Sequence, residues 1–125
     1  MGKPMADHEA LQSLQRELGA GSVSCEEAAI REYQPPGSST PAGVVSIRDS
    51  DALVRTVRWA REHETPLLPV SSSAPHHDAC LDAPAGAVMV DLSGMKQVIQ
   101  TNRRNRVTLV EAGVTFEELA PIAHQ

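Results

Sequence analysis
The chain has 125 residues, enough for one domain with its own core, and at 41% hydrophobic and 22% charged it is composed like an ordinary globular protein. Eleven basic against 16 acidic residues leave a net charge of −5, the wrong sign for a general polyanion binder. One Trp, one Tyr and one Phe give few surfaces on which bases could stack, so nucleic acid is excluded as a partner and the core must be built from aliphatic residues.

In chain order, Asp7 can cap a first helix running to about Leu18. Leu11, Leu14 and Leu18 form its stripe, and Gly19 and Gly21 supply the stop. Ser24 to Glu27 reads as an S-x-x-E capping box opening a second helix to about Tyr33. The nine residues QPPGSSTPA from Gln34 to Ala42 carry too much proline for a regular element and form a linker. Gly43 to Ile47 is the first strand. Asp49 or Ser50 then caps a helix to about His63, with Leu53, Val57 and Ala60 on its apolar stripe and Ala52 and Trp59 widening it. Pro66 to Val70 is a second strand, apolar enough to be covered on both faces. Strand, amphipathic helix, strand makes a right-handed βαβ unit with parallel strands.

A polar loop follows, and beyond it Val88 to Asp91 is a third strand ended by a turn at Leu92 to Met95, where Ser93-Gly94 is a breaker pair. Lys96 to Thr101 and Arg106 to Glu111, joined through Asn102 to Asn105, read as a hairpin with Val98, Val107 and Leu109 as apolar positions. Thr115 to Glu118 is another capping box, opening a helix through Ala123. No apolar run reaches membrane-spanning length, and the first ten residues, MGKPMADHEA, lack the apolar centre of a secretory signal. Cys25 and Cys80 lie far apart with no CxxC spacing, which fits reduced thiols in a cytoplasmic protein.

The stretch with chemical character begins where the second strand runs out. An apolar strand opening into Ser71, Ser72 and Ser73 suits a phosphate-bearing ligand, because small residues let backbone N–H groups approach the anion. The same serines also read as an ordinary strand exit, which turn-forming residues favour. His76, His77, Asp78 and Cys80 have the composition of a metal site but not its spacing, and read as a solvated loop. Asp91 reads as the cap of the turn after it rather than as a catalytic acid. Arg103, Arg104 and Arg106 read as a solvated hairpin tip.

Six pieces stand in order: Gly43-Val44-Val45; Trp59-Ala60 to Pro66; Pro69-Val70-Ser71-Ser72-Ser73; Val90-Asp91-Leu92-Ser93-Gly94-Met95; Val110-Glu111-Ala112-Gly113-Val114; and Leu119. Together, from about Tyr33 onward, they resemble the first half of the FAD-binding domain of the vanillyl-alcohol oxidase / p-cresol methylhydroxylase superfamily. The nearest likeness is to its glycolate oxidase and D-lactate dehydrogenase branch. The fold this implies is α/β (α+β): a helical lead over residues 1–34, then over 35–125 the first half of a PCMH-type domain. In that half a small parallel βαβ sheet continues into antiparallel strands.

The resemblance also implies FAD as cofactor, in an oxidoreductase acting on a 2-hydroxy acid or similar small acid. Its contacts would come from Pro69, Val70, Ser71, Ser72, Ser73, Ala74, Pro75 and His76, and from the flavin-proximal segment Glu111, Gly113 and Val114. Gly113 reads equally as the glycine that lets a strand turn into the next helix. No metal site or catalytic residue is assigned. Some members attach the flavin through a loop histidine, the role His76 would take here. Where the family carries two or three glycines this chain has Ser71, Ser72, Ser73 and Ala74, whose hydroxyls can donate to phosphate but which lack glycine's access to positive φ. Because the family continues into a second half-domain and a substrate domain, apolar surface should await a cover: a second polypeptide, a homo-oligomer mate or further chain. Two rivals stand beside this reading. One is a non-catalytic interaction module derived from a split or decayed flavin domain, the other a small α/β module for a different phosphorylated ligand.

Overall fold
A computed structural model describes residues 8–33, 40–71 and 84–123. Its elements are α1 (His8–Leu18), β1 (Val23–Ser24), α2 (Glu27–Tyr33), β2 (Gly43–Ser46), α3 (Ser50–Glu62), β3 (Leu67–Val70), β4 (Val88–Asp91), β5 (Val98–Asn102), β6 (Val107–Val110) and α4 (Phe116–Ala123). The class is the expected α/β mixture. Four strands form a sheet in the order β1-β2-β4-β3, and β5 and β6 form a separate antiparallel pair. β2 and β3 are parallel, as a βαβ unit requires, but β4 is inserted between them and pairs in parallel with both.

Alternation along the strands divides the apolar residues between the two faces. Val45, Val88 and Val90 pack with Leu11 and Leu14 of α1 and Trp59 and Ala60 of α3. Val44, Met89 and Val70 pack on the other face with Ile30 of α2, joined by Tyr33 and Leu68 at the margin. The central strand β4 is buried along Val88, Met89 and Val90, which its position between two parallel neighbours dictates.

Three expectations are corrected. Ser24 does not open a helix: Val23 and Ser24 pair with Val45 and Val44 as a short antiparallel edge, and α2 starts at Glu27. Ser24 Oγ still accepts from the Glu26 N–H at 3.4 Å, but the backbone of Ser24 joins the sheet and the helix begins beyond that turn. On α3 the buried positions are Thr56, Trp59 and Ala60, while Val57 is half exposed. Thr56 is tolerated inside because its hydroxyl donates to the Ala52 carbonyl at 2.8 Å. Trp59 turns inward because its indole N–H donates to the Ala10 carbonyl at 3.0 Å, tying α3 to α1. Third, β3 is covered only in part: Leu67 packs on one face of the sheet and Leu68 and Val70 on the other, but it is an edge strand with Pro69 exposed. The carbonyls of Pro66 and Val70 accept from Val88 and Leu92, so Pro69 faces the open edge, where its missing N–H costs no ladder bond.

The other helix ends follow the sequence. Asp49 caps α3 by accepting from the Ala52 N–H at 2.8 Å. Thr115 Oγ1 accepts from the Glu118 N–H at 3.2 Å while the Glu118 carboxylate accepts from the Thr115 N–H at 3.4 Å, a reciprocal capping box. In the hairpin, Asn102 Oδ1 accepts from the Asn105 N–H at 3.0 Å and Arg106 adopts φ 55° to complete the turn. The apolar positions of this hairpin are not buried: Val98, Ile99, Val107 and Leu109 are exposed, and Phe116, which opens α4, is 92% exposed. None of the described helices is long and apolar enough to cross a membrane.

Candidate functional site
Ligands of parallel α/β sheets sit outside the carboxyl ends of the strands, where the strand order changes direction. Here that place is set by β2, β4 and β3, because the crossover from β2 through α3 to β3 skips the central strand. Ser46, Asp91 and Val70 form the last paired rung of the three strands. Ser71 leaves this rung directly and is exposed, whereas Val70 is buried. Ser72, Ser73, Ala74, Pro75 and His76 lie outside the described residues, as do His77, Asp78 and Cys80.

The second predicted segment reaches the same edge by way of a turn. The Leu92 N–H donates to the Val70 carbonyl at 2.7 Å and the Met95 N–H to the Leu92 carbonyl at 3.0 Å, which closes Leu92 to Met95 at the end of β4. Gly113 packs onto the far side of that turn. Its N–H donates to the Met95 carbonyl at 2.8 Å, and a Cβ there would stand 2.5, 2.6 and 2.7 Å from the carbonyl oxygens of Leu92, Ser93 and Met95. Only a residue without a side chain fits this approach. Glu111 closes the hairpin mouth: its N–H donates to the Gln97 carbonyl at 2.9 Å, and its carboxylate accepts from the Gln97 N–H at 2.9 Å. Val114 is half-buried, and its N–H donates to the Glu111 carbonyl at 3.2 Å. Pro69, Val70 and Ser71 are thereby connected to Glu111, Gly113 and Val114 through the Leu92–Met95 turn.

Asp91 caps this turn as expected, accepting from the Ser93 N–H at 2.9 Å through Oδ1. Its other oxygen takes a partner the sequence does not announce. The Tyr33 hydroxyl, 58 positions earlier at the end of α2, donates to Asp91 Oδ2. Burial, followed by this hydrogen bond and the charge of Asp91, pushes the Tyr33 phenol well above its usual range, so it stays protonated and donates at any physiological pH. No spacing rule links residues so far apart. The one available signal was that the chain's sole tyrosine stands immediately before the proline-rich linker.

These contacts bear on an anionic cofactor. A carboxylate at the end of the central strand would oppose a diphosphate, but Asp91 accepts from Tyr33 of α2 through Oδ2 and from Ser93 of the following turn through Oδ1. The exposed serine, the ends of the parallel strands and a restrained carboxylate fit the phosphate end of a dinucleotide. Elsewhere, a hollow of about 340 Å³ between α1 and β1 is lined by Leu11, Gln12, Gln15, Val23 and Cys25, none of them a predicted site residue. The Cys25 thiol is raised above its usual pKa by burial, which makes it a poor nucleophile.

The fold, a parallel sheet with a switch point feeding a separate hairpin, defines a nucleotide-binding α/β domain of the flavoprotein type. The chain belongs to the FAD binding domain family, whose model matches residues 41–125, and the cofactor of that family is FAD. A curated relative, the 1'-carboxy-chondrochloren decarboxylase of Chondromyces crocatus, is 29% identical over 88% of this chain and 21% of its own length. Among solved structures, p-cresol methylhydroxylase with substrate bound superposes with a TM-score of 0.74 at 23% identity, covering 93% of this chain and 24% of that one. The 4-ethylphenol oxidase of Gulosibacter chungangensis superposes with a TM-score of 0.78 at 21% identity, covering 93% and 24%. An alkyldihydroxyacetonephosphate synthase gives a TM-score of 0.75 at 15% identity, covering 99% and 26%. The chain thus spans about a fifth to a quarter of the length of the proteins it matches.

Proposed function
We propose that this chain supplies the diphosphate-holding part of an FAD site in a flavin-dependent oxidoreductase. The flavin, once bound, supplies the hydride-accepting ring, and the protein's task is to hold and orient it. On this reading residues 1–34 are a helical lead and 35–125 the first part of the cofactor domain. Pro69, Val70 and Ser71 bring the chain to the anion. Ser72, Ser73, Ala74, Pro75 and His76 complete the cradle, and Glu111, Gly113 and Val114 support it from the hairpin side. The observation that carries the reading is the Leu92–Met95 turn, hydrogen-bonded to Val70 on one side and to Gly113 on the other, at the carboxyl edge of a parallel sheet.

For the substrate, the order of motifs supports a 2-hydroxy acid or similar small acid, as in the glycolate oxidase and D-lactate dehydrogenase branch. The names of two structural relatives favour a para-substituted phenol instead. The separated cysteines support the cytoplasmic setting. A second reading, a subunit or interaction module, is favoured by the bare hairpin, whose exposed Ile99, Val107 and Leu109 suit a second polypeptide or a homo-oligomer mate.

One titration separates these readings. Purified chain is mixed with FAD, ADP or riboflavin, and binding is followed by flavin fluorescence and by calorimetry for ADP. A diphosphate cradle binds FAD, lets ADP compete and ignores riboflavin. A folded chain that binds neither FAD nor ADP but self-associates refutes the cofactor role and leaves the module reading.

A further inference from the structure
The β5–β6 hairpin carries a charge pattern unlike the rest of the chain. From Gln97 to Val110 it holds Arg103, Arg104 and Arg106 and no Asp or Glu, in a protein of net charge −5. Lys96, just before it, pairs with Glu118, but none of the three arginines has an ion pair among the described residues. Three cations within four positions repel one another, and no carboxylate among the described residues offsets that repulsion. Arg106 adds an oddity of conformation. It completes the turn at φ 55°, a region that glycine or asparagine enters more cheaply, yet Asn105 stands one place earlier and arginine holds the position. Its side chain is exposed, so packing does not account for the choice. Strained backbone of this kind gathers at ligand clamps.

A hollow of about 390 Å³ opens between the tip of the hairpin and the last turn of α4. Among the residues lining it are the polar Thr101, Arg103, Arg106 and Thr108 and the apolar Val107 and Ile122. Thr101 and Thr108 pair in register, so their side chains share one face of the hairpin. We propose that this hollow binds a small phosphomonoester. The Arg103 and Arg106 guanidinium groups meet the phosphate, the threonine hydroxyls donate to its oxygens, and Val107 and Ile122 flank the organic group attached to it. Arginine matches phosphate in shape as well as charge, through two parallel N–H···O bonds. The volume suits a small molecule. The site shares no residue with those assigned to the cofactor and stands whether or not FAD binds. α4 has no basic residue in its last turn, so the arginines could instead serve only to face the negative end of its dipole. That structural role and the binding role differ in what an anion does.

Phenyl phosphate, inorganic phosphate and phenol are the probes, each added to the isotope-labelled full chain. Phenyl phosphate moves the amide resonances of Thr101 to Thr108 and, at about ten times its dissociation constant, raises Tm by about 5 °C. Inorganic phosphate moves the same amides but binds several-fold more weakly, and phenol moves none. Arg106→Gly places glycine at a left-handed position and melts at or above the wild-type temperature. It nevertheless binds phenyl phosphate roughly tenfold more weakly, because a charged hydrogen-bond donor is gone. Arg103→Gln keeps the fold and also loses affinity several-fold.

A chain that does not bind phenyl phosphate overturns the proposal. So do resonance shifts confined to Val70 and Ser71, which would put the anion at the strand end, and shifts spread equally over the arginines of α3, which would be loose charge attraction. Unchanged affinity in Arg103→Gln and Arg106→Gly overturns it as well. An Arg106→Gly chain that melts well below wild type or does not fold overturns it too, since the side chain would then be part of the fold. None of these outcomes bears on the cofactor reading, which the titration with FAD and ADP tests separately.

Discussion

Gly113→Ala is the sharpest test of how the hairpin is attached to the sheet. The added methyl would stand 2.5, 2.6 and 2.7 Å from three carbonyl oxygens, of Leu92, Ser93 and Met95. All three are backbone atoms within a turn held by the Leu92 and Met95 N–H groups, so none can rotate aside as a side-chain tip would. Relief requires the Glu111–Val114 backbone to lift, which lengthens the 2.8 Å bond from the Gly113 N–H to the Met95 carbonyl. Overpacking of this kind costs about 1–3 kcal/mol, and the weakened hydrogen bond adds about 1 kcal/mol. A total of about 2–4 kcal/mol lowers Tm by roughly 10–20 °C in a domain of this size. Thermal unfolding followed by circular dichroism reads it directly. Gly94→Ala is the control, because its methyl meets the Ile47 carbonyl at 3.1 Å and the movable Arg48 side chain at 3.3 Å, and it should cost less than half as much. A Gly113→Ala chain melting within about 2 °C of wild type would show that the turn and the hairpin exit are not packed as described.

Two further outcomes follow from contacts elsewhere in the chain. Trp59→Phe removes the hydrogen bond to the Ala10 carbonyl and part of a buried ring, and should cost about 2–3 kcal/mol in denaturant unfolding; a loss below about 0.5 kcal/mol would mean that α1 is not anchored through the indole. Glu118 is held below the usual carboxyl range, first by its hydrogen bond to Lys96 and then by the Thr115 N–H. Its contribution to the cap of α4 is therefore present above the unfolded value of 4.5 and fades as pH falls through the lower folded one. Protection of the Phe116 to Leu119 amides, taken relative to intrinsic exchange, should fall over that acid range in wild type but show no such step in Glu118→Gln, and identical profiles would refute the assignment.

Much of this architecture is legible without coordinates, for reasons that differ by element. α3 announces itself because Asp49 caps it and apolar residues recur at helical spacing, yet its register was off by one position: Thr56 rather than Val57 is buried. A scale that counts threonine as polar cannot know that its hydroxyl will bond back to Ala52. α4 is readable from its capping box alone, although nothing in the box reveals that Phe116 stays exposed. β1 is invisible for a different reason. Two residues have no periodicity, and Val23–Ser24 becomes a strand only because β2 offers an open edge.

The site divides along the same line. Its two segments, Val70–Ser71 and Glu111–Val114, are local motifs and could be marked as such. What joins them could not, because β4 enters between β2 and β3 only in three dimensions. That insertion puts the Leu92–Met95 turn against Val70 through an amide and against Gly113 through carbonyls. It also brings Asp91 to Tyr33 across 58 positions. The turn is therefore the keystone of the edge, and the serine loop departs from a frame that the turn fixes. A glycine-rich loop can shape itself around an anion by its own backbone freedom, whereas a serine loop has fewer backbone conformations open to it and depends more on where its first residue is held. In this chain Ser71 begins one residue after a carbonyl bonded to that turn. A substitution at Gly113 should accordingly be felt at the Val70–Ser71 strand end through the Leu92–Met95 turn.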